Sequence, residues 1–267
     1  MQTKDITSAN REAWDEAAPL HASQNQEHLL KAFAEPGYSC LVDIERTRLE
    51  ALAIVGKDVA QICCNNGREI LSIKNMGAGR CVGFDGSQEF LNQAKELAEA
   101  GNIDCDFICT DIYDMDPQYH RSFDVVTITI GVLSWMPDLD NFFAIVAALI
   151  KPGGALFIYE QHPILDMIEP AEPDAPVVWE FSYFNKEPYV DTDGLDYYGG
   201  GTYVSKPLYS FPCTMAEIIM AGVKQRLSVE HFEEHPDHIS GGWWNVEKQG
   251  PELPMSYTLV LRKQVSK

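Results

Sequence analysis

FDVVTITIGVLSWMPDLDNFFAIVAALIKPGGALFIYE, residues 123 to 160, decides the fold. It opens inside a near-continuous β-branched run, 122–131, that suits a strand buried on both faces. DNFFAIVAALIKPGG follows as a helix ended by Pro152, Gly153 and Gly154. ALFIYE, 155–160, is a strand again. Strand, helix and strand in one short span make the unit of a parallel sheet with right-handed crossovers.

The same alternation extends upstream. VAQIC (59–63) is a strand, GREILSIKNMGAG a helix, RCVGFD (80–85) a strand and SQEFLNQAKELAEAGN a helix with Ser87 at its cap. DFICTD (106–111) is the third strand of the series. Before it, SANREAWDEAAPLHASQNQEHLLKAFAE (8–35) reads as helix, capped by Ser8 or Asn10 and broken near Pro19. LVDIERTRLEALAIVG is a second helical stretch. Residues 165 to 213 are rich in Pro, Gly, Tyr and Asp, with alternation in WEFSYF and GTYVSKPLYSF that predicts a small antiparallel ribbon. CTMAEIIMAGVKQ is a helix capped by Thr214, with Glu217 completing a capping box. RLSVEHFEEH and MSYTLVLRK are closing strands with an irregular stretch between them. The expected architecture is an α/β, Rossmann-like, doubly wound and mostly parallel seven-stranded sheet with helices on both faces. Its parts are a helical cap at 1–57, a core at 58–164, an insertion at 165–213 and a closing helix and strands at 214–267.

The chain has 267 residues and a formal charge of -20, from 20 Lys+Arg against 40 Asp+Glu. Nucleic-acid affinity rests on phosphate neutralisation, so a chain this acidic, without a basic run, is not expected to bind DNA or RNA. No apolar run approaches the roughly 18 residues that span a membrane, and the N-terminus lacks an apolar signal core. A cytoplasmic protein is expected. Seven cysteines, an odd number without paired metal-ligand spacing, read as small buried hydrophobes rather than disulfides or a zinc site.

In an open α/β sheet, ligands sit beyond the carboxyl ends of the strands. Four turns lie there: Cys63 to Arg68, Asp85 to Ser87, Asp111 to Tyr113, and Ile130 to Trp135. Asp85 ends a strand 18 residues past Gly67, where an acid accepts hydrogen bonds from a ribose diol. Asp111 can accept from an exocyclic amine, and Ile112 can press on a flat base. Asp114 and Asp116 follow without further ligands, so they read as solvated carboxylates rather than a metal site.

With those residues in place, 123–160 resembles the fourth strand, fourth helix and fifth strand of the class I S-adenosylmethionine-dependent methyltransferases. FD-V, an apolar turn with an aromatic, PDL, a helix and L-KPGG carry the likeness. It covers about 58 to 160, and more weakly the closing strands. The resemblance implies S-adenosylmethionine as cofactor and a small-molecule methyl acceptor. It implies that Cys63, Cys64, Asn65, Asn66 and Gly67 wrap the methionine part. Asp85, with Gly86 and Ser87, would hold the ribose, and Asp111 with Ile112 the adenine. Ile130 and Gly131 would offer main-chain groups to the methionine end. Trp14 and His21 lie where many members fold a cap over the cofactor. Trp135, Glu160, Tyr183 and Tyr197 are the expected acceptor contacts.

The first loop departs from the family's (D/E)xGxGxG. Gln61 replaces the acid, while Cys63 and Asn65 replace two glycines. Asn tolerates positive φ best among non-glycine residues, so Asn65 or Asn66 is expected to adopt it, with Gly67 opening the helix. Cys63 is expected to stay extended. Gly86 removes one wall of the adenine slot.

Methyl transfer is an in-line displacement, for which the protein supplies alignment and a dry pocket. If a base is used, His162 in YEQHP is the candidate, set against a structural pairing with Glu160 or a carbonyl. The insertion holds ten aromatics between Trp179 and Phe211, and nine acids against two lysines across 165–213. These suit a ribbon core, a homodimer contact, or an acidic aromatic lid that favours a cationic acceptor. A non-catalytic cofactor sensor or interaction module is the alternative function. A nicotinamide oxidoreductase fits less well, because GxGxxG is absent.

Overall fold

The computed structural model describes residues 2–195, 203–240, 242–250 and 252–265. The chain begins with two helices, α1 (Thr3–Phe33) and α2 (Asp43–Ala51). Alternation follows: β1 (Val59–Ile62), α3 (Arg68–Asn75), β2 (Cys81–Asp85), α4 (Gln88–Gly101), β3 (Asp106–Cys109), β4 (Phe123–Ile128), α5 (Leu139–Leu149) and β5 (Ile150–Gln161). The insertion contributes β6 (Tyr189–Asp191) and β7 (Leu208–Ser210). The chain closes with α6 (Met215–Lys224), β8 (Leu227–His235), α7 (Trp244–Gln249) and β9 (Ser256–Lys263).

Seven strands form one sheet in the order β3-β2-β1-β4-β5-β9-β8. β1 to β5 pair in parallel, and β9 runs antiparallel to both of its neighbours. The strand order reverses between β1 and β4, so the ligand crevice is expected above their carboxyl ends. β1 is buried at every position, and β4 at all but Asp124. That burial is why both strands are mostly apolar rather than alternating. One core face packs Phe84, Phe123, Phe142 and Phe143, and the other packs Leu49, Ile54, Ile70 and Phe157.

Several boundaries differ from the sequence expectation. Helix α5 stops at Leu149, and the KPGG segment already belongs to β5. Gly153 takes φ 81 there, within a register irregularity between Phe123 and Val125. Lys151 pins the segment by pairing with Asp58 at 2.6 Å and Asp124 at 2.9 Å. The stretch between the closing strands contains α7. WEFSYF makes only an isolated bridge at Trp179, and the ribbon is confined to β6 and β7.

Helix α1 is continuous through Pro19 and starts at Thr3, so neither Ser8 nor Asn10 caps it. The Asp5 carboxylate instead accepts from the N–H of Gln2 at 3.1 Å. An interior proline costs a helix about 3 kcal/mol. Ile6, Leu29 and Phe33 are buried along α1, each contributing about 1.5–3 kcal/mol, which outweighs that cost. Fully buried Ala13, Ala17 and Ala18 allow close approach, and Gln93 on α4 donates to the carbonyl of Ala18. Asn10 exchanges two hydrogen bonds with the backbone of Tyr209, docking β7 onto α1. Cap, core and insertion therefore meet above the crevice.

Candidate functional site

A cavity of about 980 Å³ opens at the carboxyl ends of β1, β2, β4 and β5. This is near the top of the roughly 300–1,000 Å³ range of ligand pockets, leaving room for a cofactor and an acceptor together.

The β1–α3 turn shows why few glycines suffice. Cys63, Asn65 and Gly67 have φ of 53, 50 and 71. These positions align with the three glycines of the family loop, so the backbone keeps a left-handed conformation at each although only one is glycine. Asn65 and Gly67 behave as expected. Cys63 does not: it is left-handed rather than extended, at a cost of about 1–2 kcal/mol. Gly67 is required for space as well as φ, since a Cβ would lie 2.6 Å from Phe107 Cε1 and 2.9 Å from Ala94 Cβ. The Asn65 side chain accepts from the N–H of Asn66 at 2.7 Å.

Asp85 ties this turn to the next strand end. Its carboxylate accepts from the N–H of Asn65 at 2.7 Å and of Ser87 at 2.8 Å. Burial pushes its pKa up to about 6, and those N–H donors oppose the rise. Ser87 caps α4 by accepting from the N–H of Phe90, and donates to Asp15 on α1. Asp111 accepts from the N–H of Tyr113 and from the hydroxyl of Thr7, which brings the cap onto the third strand end. Ile112 is buried beside it and lines the cavity.

The β4 loop is held from below. Glu160 is buried and accepts from the N–H groups of Gly131 at 2.5 Å, Val132 at 2.9 Å and Leu133 at 3.4 Å, and from Gln161 at 2.8 Å. Burial lifts its pKa to about 7 against those four donors. This corrects one expectation: the N–H of Gly131 is spent on Glu160 rather than offered to a ligand. Glu160 both lines the cavity and braces the loop. Ile130 lies at the rim, 37% exposed.

Trp14, His21 and Trp135 line the cavity. Trp14 packs edge-on to Trp135 at 5.6 Å and to Phe90 at 5.9 Å, and His21 Nε2 lies 2.5 Å from the carbonyl of Leu195. Phe90 and Gly86 both line the cavity. Thr7, Asn10 and Arg11 also line it and were missed. With Trp14 and His21 they follow helical spacing on α1, a signal the sequence contained.

His162 does not line the cavity. Its Nδ1 accepts from the N–H of Ile164 at 3.1 Å, so the neutral ring carries its proton on Nε2, which donates to Glu234 at 3.0 Å. Burial lowers its pKa, and Glu234 opposes this. Both nitrogens are occupied, which removes the base role and leaves a structural one. His162→Ala is expected to leave methyl transfer near wild type. It should lower Tm by about 4–8 °C in a thermal melt, for two hydrogen bonds of about 1 kcal/mol each.

Tyr183 also misses the cavity, and its hydroxyl accepts from the N–H of Met215 at the start of α6. Tyr197 lies outside the described residues. Among the described residues, none of the insertion's aromatic rings from Trp179 to Phe211 lines the cavity. Asp166, Cys213 and Trp243, unforeseen in the sequence, line it instead. Asp114 pairs with Lys4, Asp116 caps a turn, and no metal-binding group occurs among the described residues. No described helix is long and apolar enough to cross a membrane.

The residues present fit S-adenosylmethionine. Gln61 Nε2 donates to Thr129 at 2.9 Å, and its buried Oε1 has no hydrogen-bond partner. It stands where the family has an acid, and the empty acceptor suits the cofactor's ammonium. Each Asp85 and Asp111 oxygen keeps acceptor capacity for ribose hydroxyls or an adenine amine.

Comparisons agree with that fit. Residues 59–154 match a family model described as a methyltransferase domain. A ubiquinone biosynthesis O-methyltransferase from Bradyrhizobium sp. is 32% identical over 114 residues, 43% of this chain and 44% of that protein. The chain thus spans less than half of that relative's length. An S-adenosylmethionine-dependent methyltransferase structure from Mesorhizobium loti superposes with TM-score 0.61 at 19% identity, covering 82% of this chain and 97% of that one. The cyclase SpnF superposes with TM-score 0.59 at 17% identity, covering 96% and 95%. Residues 59–154 are thus similar to a methyltransferase domain, on a fold that this chain shares with S-adenosylmethionine-dependent methyltransferases.

Proposed function

We propose that the chain transfers a methyl group from S-adenosylmethionine to a small-molecule acceptor by in-line displacement. The observation that carries it is the β1–α3 turn, with left-handed residues at all three family glycine positions and Asp85 fastened to it. The cofactor, when bound, supplies an electrophilic methyl group on a sulfonium. The chain's own residues do the rest. Gln61 holds the ammonium, Asp85 the ribose and Asp111 the base. Trp14 and His21 on α1 cover the site, exclude water and fix the approach of the acceptor.

A second reading, a cofactor sensor without turnover, draws on Gln61 standing in place of the acid. Titration calorimetry separates these readings from an unrelated use of the fold, one that SpnF's likeness keeps in view. Micromolar binding of S-adenosylmethionine and S-adenosylhomocysteine is expected. Loss of the labelled methyl group into a metabolite extract then distinguishes enzyme from sensor. Absence of binding to either compound would sink both.

A further inference from the structure

Among the described residues, five carboxylates line the cavity: Glu69, Asp85, Asp111, Glu160 and Asp166. The first four are engaged. Glu69 pairs with Arg68, and Asp85, Asp111 and Glu160 hold the N–H and hydroxyl groups described above. Asp166 alone has no hydrogen bond or ion pair with a described residue. It sits on the short 3-10 turn Pro163–Met167, just past the carboxyl end of β5. The same cavity is lined by Cys213, Pro163, Ile218 and Trp243. The titratable groups around it are Glu160 on β5, Cys213 ahead of α6 and Tyr257 on β9, with Glu217 and Lys186 acting farther out on Cys213. The Tyr257 hydroxyl, fully buried, also lacks a hydrogen-bond partner.

An apolar chamber with one unanswered carboxylate is built for a donor that arrives with the ligand. We infer that Asp166 receives the acceptor's own proton, and that the acceptor is a neutral hydroxyl compound with an apolar body, a phenol or similar alcohol. This rests on the methyl-transfer reading above and deepens it. A protonated amine would pair with Asp166 but would present no lone pair to the methyl group. A hydroxyl donates to the carboxylate and keeps its lone pairs for the methyl group. Burial without a cation pushes Asp166 up to about 7, so it takes and releases a proton near neutrality. The balance is simple. The acceptor O–H bond breaks with its proton going to Asp166, the oxygen pair forms the bond to the methyl carbon, and the carbon–sulfur pair returns to sulfur and neutralises the sulfonium. Asp166 later gives its proton to water.

The test uses the full chain loaded with S-adenosylhomocysteine and reads binding. The probes are 4-nitrophenol, its methyl ether 4-nitroanisole, and 4-nitrobenzylamine, titrated by absorbance. Wild type is expected to prefer the phenol to the ether by about tenfold or more, the worth of one hydrogen bond to a charged group. Asp166→Asn should lose most of that preference without changing S-adenosylhomocysteine affinity, and Asp166→Glu should keep part of it. Tightest binding of the amine, lost in Asp166→Asn, would make Asp166 an ammonium anchor and overturn the hydroxyl assignment. So would a phenol preference untouched in Asp166→Asn, or no phenol binding to the loaded protein. Failure of S-adenosylhomocysteine itself to bind is read in the first titration and counts against the methyl-transfer reading instead.

Discussion

Asp85→Ala is expected to weaken S-adenosylmethionine binding by about 100- to 1,000-fold. Two charge-assisted hydrogen bonds to the ribose would be lost, each contributing about 1.5–3 kcal/mol, and part of that is recovered by water entering the gap. The substitution also strips the N–H groups of Asn65 and Ser87 of their acceptor, so the first loop loosens as the ligand contact goes. Asp85→Asn keeps one acceptor oxygen, and its loss should be about tenfold. The pH profile gives an independent check. Burial raises the Asp85 pKa to about 6, and ribose donors favour the ionised form. Affinity should therefore rise with pH up to and through about 6, then level off, and Asp85→Asn should flatten the profile. Calorimetry across that range reads both effects. A wild-type profile identical to that of Asp85→Asn would place the ribose elsewhere.

The sheet was legible because its signals are local. A β-branched run at 123–128 and helical spacing in α4 need no partner to be read, and neither does the capping box of Thr214 and Glu217. The strand-end carboxylates followed from the same logic, since a parallel sheet puts every βα turn on one side. What escaped depends on contacts distant in sequence. Cys63 carries no mark of left-handed backbone. It is held so by the cross-ladder bond from Cys64 N–H to the Phe84 carbonyl and by Asp85 beyond it. Pro19 signals a break that the burial of α1 against α4 overrides. His162 and Asp166 stand four residues apart after the same strand, and the histidine drew attention because its ordinary pKa suits a base. Packing decided otherwise: Glu234, seventy-two residues away, occupies the imidazole. Among the described residues, no charged partner pairs with the aspartate. The insertion's aromatics were visible in composition, but composition does not say which side of a ribbon faces the cavity.

Glu160→Gln carries the largest expected change in stability, because one carboxylate holds four backbone N–H groups and thereby shapes the β4 loop. A glutamine carbonyl retains one or two of these bonds, while its NH₂ group confronts N–H donors with another donor. At about 1–3 kcal/mol for each buried donor left without a partner, a net loss of about 2–3 kcal/mol is expected, a fall in Tm of about 4–12 °C. The Gly131 turn, at φ 87, should relax with it, and the walls contributed by Trp135 and Leu133 should lose their fixed position. Cofactor affinity should fall although Glu160 need not touch the cofactor. The pH dependence separates this brace from a simple packing defect. Burial raises the folded pKa of Glu160 to about 7, so folding takes up a proton there. The resulting stabilisation is fully present below the ordinary glutamate pKa of about 4.3, and is lost as pH rises through 7. The stability gap between wild type and Glu160→Gln should therefore be widest in mild acid and narrow towards neutral pH. Denaturant unfolding of both proteins at a series of pH values measures that gap directly. A gap that stays constant, or widens with pH, would mean that Glu160 is ionised throughout and that its four N–H donors prevail over burial.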